Sequence, residues 1–140
     1  MNVNEPIIVE QSFNVSIETV WEAITNLDQM KQWFFNNIEE FKPEVGFKTQ
    51  FNVTSENRNF LHLWHIVEVE PLKKIVYNWK YKEYEGDSFV HFELNELSSV
   101  TTLQVTTVVI EPFPTNIPEF ETESCRQGWN YFIKTDLKIL

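Results

Sequence analysis

Residues 61–109 read LHLWHIVEVEPLKKIVYNWKYKEYEGDSFVHFELNELSSVTTLQVTTVV, and apolar residues recur at every second position over most of this stretch. Successive side chains of a β-strand point to opposite faces, so a period of two is typical of strands with one buried face. Turn-forming residues interrupt the alternation at residues 71–73, 85–87 and 95–99. The pattern therefore predicts antiparallel strands that are linked by hairpins.

From Glu119 onwards the apolar residues follow the spacing of a helix instead. The polar residues of this segment fall on the opposite face, so the pattern predicts one long amphipathic helix at the C-terminus. Its apolar face needs a partner, and the apolar face of the sheet provides one. The predicted apolar stripe comprises Cys125, Trp129, Phe132, Ile133, Leu137 and Leu140.

The residue pattern of the N-terminal segment predicts a strand over residues 7–13 and two short helices after it. Ser16 is a suitable N-cap for the first helix, near residues 17–25, and Asp28 for the second, which runs through Phe34. The fold class is therefore α+β: a curved antiparallel sheet of about six or seven strands wrapped on a long C-terminal helix. We expect a single domain over residues 1–140.

The composition excludes several classes of function. The formal net charge of -10 and the pI near 4.7 disfavour nucleic acid and anionic membrane surfaces as partners. No apolar run is long enough to insert into a membrane. The single cysteine, Cys125, cannot form an internal disulfide, which indicates a cytoplasmic protein. No motif for a cofactor or a metal is present.

Short blocks along the chain resemble the Hsp90-ATPase-activator-like family of the START-like superfamily, over about residues 7–140. The resemblance implies a helix-grip fold with a cavity between the sheet and the last helix. The superfamily includes lipid carriers, plant hormone binders, polyketide cyclases and aromatases. The blocks are SIETVWEAI (16–24), WF (33–34), PEVGF (43–47), IVEVEP (66–71), VYNW (76–79), VHFEL (90–94), TLQV (102–105) and GW (128–129).

A co-chaperone role does not carry over from this resemblance. The eukaryotic activators join a domain of this kind to a second, Hsp90-binding domain, for which this chain has no room. The resemblance therefore implies a fold and a cavity more than it implies an activity.

The best candidate site is the set of side chains that the alternation turns towards the helix. An apolar or aromatic small molecule is the expected ligand, because small-molecule pockets have apolar walls with a few polar groups. The alternative is a filled core in which these rings pack on one another. The candidate ligand-binding residues are Trp33, His65, Tyr77, Trp79, Phe92, Trp129 and Phe132.

Two other functions stay open. A cyclase-like or aromatase-like enzyme needs a polar group in the pocket, and His65 and Tyr77 are the candidates. An interaction protein, such as a stress or chaperone accessory, needs only an outer surface over a filled core. Gly128 lies inside the predicted helix, where it indicates either close packing of helix on sheet or space for a ligand beside Trp129.

The alternation places Trp64 on the outer face of its strand. An exposed tryptophan there would indicate a protein interface, and a homodimer is the simplest one. Alternatively, a β-bulge reverses the alternation and puts Trp64 inside.

Overall fold

The computed structural model describes residues 1–138, in which six strands form one antiparallel sheet in the order β1-β6-β5-β4-β3-β2. The predicted α+β architecture with a curved sheet and a covering C-terminal helix is confirmed. The strands are β1 (Ile7–Phe13), β2 (Lys48–Ser55), β3 (Arg58–Glu70), β4 (Lys74–Tyr81), β5 (Asp87–Leu97) and β6 (Val100–Glu111).

Two short helices, α1 (Ile17–Thr25) and α2 (Leu27–Trp33), follow β1. The side chain of Ser16 accepts a hydrogen bond from the backbone N–H of Thr19, so the predicted N-cap of α1 is confirmed. The prediction that Asp28 caps α2 is wrong. Asn26 ends α1 and also caps α2, because its side-chain oxygen accepts from the backbone N–H of Gln29.

The C-terminal helix is less regular than predicted. A 3₁₀ turn (Pro118–Phe120) leads into α3 (Thr122–Asn130), and a π-helical segment (Tyr131–Asp136) continues from it. The backbone N–H of Leu137 donates to the carbonyl of Phe132 at 2.8 Å, which is the five-residue spacing of a π-helix. The predicted stripe is buried at Trp129, Ile133 and Leu137, and Leu140 lies outside the described residues.

Strand β3 contains a bulge at Val67. Ile66 pairs with Tyr77 of β4, but Glu68 pairs with Val76, so the register shifts by one residue between them. A bulge moves the following side chains to the other face of the strand. The simple alternation assumed for this strand is therefore broken at Val67.

The bulge explains why two orientations in β3 differ from the sequence prediction. The side chains that face the core before the bulge are those of His62 and Trp64, whereas His65 lies on the outer face. The inward orientation predicted for His65 is thus wrong. Trp64 is only 2% exposed, so the alternative in which a bulge accompanies an inward Trp64 is correct.

The core consists of two apolar clusters that meet at Tyr81. The larger one lies between the sheet and the helices, and the smaller one comprises Phe60, Val109, Phe113 and Phe120. An ion pair ties the 3₁₀ turn to β3, since Nη1 of Arg58 lies 3.1 Å from the carboxylate of Glu119. The junction of the two clusters is where the candidate site lies.

Candidate functional site: a cavity beneath helix α3

Most of the predicted aromatic side chains do come together. The ring of Trp129 in α3 lies 5.6 Å from those of both Trp79 and Phe92 in the sheet, measured between centroids. The C-terminal segment therefore packs directly on the strands. The residues that meet are Trp33, Tyr77, Trp79, Phe92, Trp129 and Phe132, and their part in ligand binding stays a prediction.

Phe34 fills the part of this space that lies next to α2. It ends the helix with a non-helical backbone (φ -107°, ψ -121°). Its ring then lies 4.6 Å from Trp33, 5.4 Å from Trp64 and 4.9 Å from Phe132. The sequence predicted that α2 runs through Phe34, and nothing in the local pattern indicated that this side chain would enter the centre of the core.

A cavity of about 140 Å³ remains where the two apolar clusters meet. Of the seven predicted ligand-binding residues, Trp79, Trp129 and Phe132 line it. Trp33, Tyr77 and Phe92 are buried elsewhere in the core, and His65 is on the outer face. The lining residues outside the seven predicted ones are Met1, Phe35, His62, Tyr81, Ser88, Val90, Thr107, Phe113, Glu119, Cys125 and Gly128.

Gly128 borders this cavity in the middle of α3. A Cβ atom built on Gly128 would have no neighbour within 4 Å outside its own helix. The close helix–sheet packing that the sequence suggested for Gly128 is therefore absent. The other expectation, that a ligand uses the space beside Trp129, stays a prediction.

His62 is the imidazole of the cavity. It is 6% exposed, and burial lowers its pKa to about 4, so the ring is neutral at pH 7. Its Nδ1 atom lies 2.9 Å from the backbone carbonyl of Phe60. Because a carbonyl only accepts hydrogen bonds, Nδ1 carries the hydrogen, and Nε2 therefore has a free lone pair. The strict alternation assumed for β3 had placed His65, and not His62, on the inner face.

Several other polar groups of the cavity wall are neutral as well. Trp129 Nε1 donates to Thr107 Oγ1 at 3.2 Å. Ser88 Oγ donates to the backbone carbonyl of Trp79 at 2.7 Å. Burial raises the pKa of the Cys125 thiol, which keeps it protonated at neutral pH. These groups offer hydrogen bonds without formal charge, whereas the lining residues Glu119 and Met1 carry a carboxylate and the N-terminal ammonium group.

Neither residue named for an enzyme lies in the cavity wall. His65 is on the outer face, and Tyr77 is packed in the core, where burial raises its pKa well above the ordinary value. Among residues 1–138, no three His, Cys, Asp or Glu side chains are grouped as a metal site would require. Within the same range, no helix has the length and apolar character to cross a membrane.

The family model described as "Activator of Hsp90 ATPase homolog 1-like protein" matches residues 14–140. This chain belongs to that family. The resemblance noted from the sequence blocks is therefore confirmed, with the START-like helix-grip fold of this family. No curated protein matches the chain.

Several solved structures share the fold of this AHSA1-family chain. A protein from Chromobacterium violaceum is 19% identical, with 92% of each chain covered and a TM-score of 0.76. An HSP90 activator from Plasmodium falciparum is 21% identical, covering 92% of this chain and 91% of its own, with a TM-score of 0.69. The Aha1 dimer from Colwellia psychrerythraea is 18% identical, covering 94% and 92%, with a TM-score of 0.70. At these identities the likeness concerns the fold alone.

Proposed function

We propose that this protein binds a small apolar or aromatic molecule in the cavity beneath α3, without chemical conversion. The observation that supports this most directly is the empty space beside Gly128. A glycine inside a helix costs about 1 kcal/mol relative to alanine, and close packing does not require it here. Retaining a glycine at this position keeps the cavity open.

The cavity volume limits the ligand to a single ring or a short chain. About 140 Å³ is close to the volume of an engineered apolar cavity that binds benzene, and it is below the range of drug-sized pockets. A ring that buries about 150 Å² gains about 4 kcal/mol at about 25 cal/mol per Å². Since about 4 kcal/mol corresponds to a dissociation constant of about 1 mM and association costs reduce the gain, we expect simple rings to bind with dissociation constants of about 1 mM or weaker.

The test is to fill the cavity. In Gly128→Leu the added side chain occupies the cavity, whereas Gln127→Leu adds the same side chain to the exposed face of the same helix. Toluene binding to both variants is measured by ligand-observed NMR and by thermal shift. We expect Gly128→Leu to lose binding and Gln127→Leu to retain it. Equal binding by both variants would show that ligands go elsewhere.

A homodimer is a second candidate, because the outer face of β1, β6 and β5 carries an apolar strip. Phe89 pairs with Val108 across the strands, and Ile8 and Ile110 lie beside them with 52% and 44% of their surface exposed. Contiguous exposed apolar groups favour association. The Colwellia neighbour is a dimer by its description.

Light scattering tests this candidate. We expect wild type to have twice the chain mass of 16.7 kDa and Ile110→Lys to have the mass of one chain. Val45→Lys is the matched control, since Val45 is 67% exposed and lies outside the strip. A wild type that remains monomeric up to millimolar concentration contradicts the dimer.

A further inference from the structure

We propose that the cavity selects a ligand with one hydroxyl group on a ring, as in a phenol, and that His62 and Tyr81 hold this hydroxyl between them. This inference rests on the proposed function and adds the chemical class of the ligand. It follows from which hydrogen-bonding groups of the cavity wall are already engaged and which are left over.

His62 supplies an acceptor. Its Nδ1–H is engaged with the carbonyl of Phe60 at 2.9 Å, and within residues 1–138 no protein group bonds to its Nε2. The ring is held by packing, since it stacks on Phe51 with centroids 4.9 Å apart and an interplanar angle of 18°. His62 thus presents a fixed tautomer with one unused lone pair.

Tyr81 supplies a donor. Its hydroxyl oxygen accepts a hydrogen bond from Trp79 Nε1 at 3.0 Å. The hydroxyl hydrogen of Tyr81 has no acceptor among the described residues. Burial raises the pKa of Tyr81, so the hydrogen is retained at every physiological pH. Tyr81 therefore has one O–H left to donate.

The side chains that carry the two unused groups are neighbours. The rings of His62 and Tyr81 lie 4.7 Å apart at an interplanar angle of 81°, and both line the cavity. A hydroxyl is the smallest neutral group that accepts from an O–H and donates to an imidazole nitrogen at once. An ether or a simple hydrocarbon cannot do both.

The remaining wall fits the rest of such a ligand. Ser88 donates to the carbonyl of Trp79, while Thr107 accepts from Trp129 and is also hydrogen-bonded to the Cys125 thiol. The other walls near them are apolar and include Val90 and Phe132. One ring plus one oxygen also matches the cavity volume of about 140 Å³. An ionised hydroxyl is disfavoured between His62 and Tyr81, because a phenolate oxygen has no hydrogen to donate to the Nε2 lone pair of His62.

The experiment compares phenol, anisole and toluene, three rings that differ in the hydroxyl. Binding to wild type is measured by ligand-observed NMR, and the ¹⁵N shift of His62 Nε2 is followed directly. We expect phenol to bind about tenfold more tightly than anisole, and only phenol to shift Nε2. Equal binding of phenol and anisole, or an unmoved Nε2 signal, overturns the inference.

Two variants assign the effect to its residues. His62→Phe removes the acceptor, and Tyr81→Phe removes the donor while both keep a ring. We expect each variant to lose the preference for phenol over anisole and to retain toluene binding. The control His65→Phe, on the outer face, should keep this preference. A preference that survives both substitutions contradicts the inference but leaves the proposed function intact. If no ring binds wild type at all, the proposed function itself is wrong.

Discussion

Replacing Gly128 by alanine should stabilise the protein, although the residue borders the candidate site. The new methyl group meets nothing within 4 Å outside its own helix, so no packing is lost. The backbone of Gly128 is helical, and alanine restricts the unfolded chain more than glycine does. We expect a gain of about 1 kcal/mol in the free energy of unfolding, or a rise in Tm of about 3–5 °C.

The same substitution at Gly86 has the opposite sign. Gly86 has φ +115°, and a Cβ there would lie 2.7 Å from Cγ and 2.8 Å from Cε1 of Phe113. The side chain of Phe113 and the strained backbone both oppose the change, which we expect to cost about 1–3 kcal/mol. Gly86→Ala is therefore the matched control for Gly128→Ala.

Urea denaturation followed by tryptophan fluorescence gives both free energies in one series. The prediction holds if Gly128→Ala raises the midpoint at an unchanged m-value and Gly86→Ala lowers it. A loss of stability in Gly128→Ala would mean that α3 packs closely on the sheet at this position. The cavity, and the proposal that depends on it, would then be wrong.

Three other predictions concern the stability of the fold. Since the pKa of His62 is about 4 in the fold and 6.5 unfolded, stability should fall by about 3 kcal/mol as the pH drops from 6.5 to 4. Denaturation at several pH values should show a smaller loss in His62→Phe, but not in His65→Gln. Trp129→Ala should lose about 3–5 kcal/mol in urea denaturation, and added indole should recover part of it; a loss below 1 kcal/mol would contradict the packing. Ser16→Ala should lose about 1 kcal/mol by the same assay, because Ser16 caps α1, whereas Ser124→Ala at an exposed position in α3 should not.

The architecture could be predicted because two periods in the sequence are strong. The two-residue period of β4 correctly placed Tyr77 and Trp79 on the buried face of the sheet. The helical period of the C-terminal segment correctly placed Trp129 against the sheet. Periodicity reports burial directly, so it succeeds wherever an element is regular. It also gives the bounds of β1, residues 7–13, as observed. It misses the division of the predicted long C-terminal helix into a 3₁₀ turn, α3 and a π-helical segment.

The site was harder to predict, because it depends on irregularities. The bulge at Val67 breaks the alternation of β3. A strict alternation therefore predicted that His65 faces the core, whereas in the structure His62 faces it. Phe34 enters the core from the residue that ends α2, where no period applies. Whether Gly128 faces packing or space is decided by residues that are distant in sequence. Each of these features is tertiary, and a local pattern does not encode it.

Xenon binding tests the central claim most directly, because xenon enters apolar cavities of this size without needing a hydrogen bond. Under xenon pressure, we expect the NMR signals of Gly128, Trp129 and Val90 to shift together in wild type and to stay still in Gly128→Leu. If these signals do not move in wild type, or if they move equally in both proteins, there is no open cavity beneath α3.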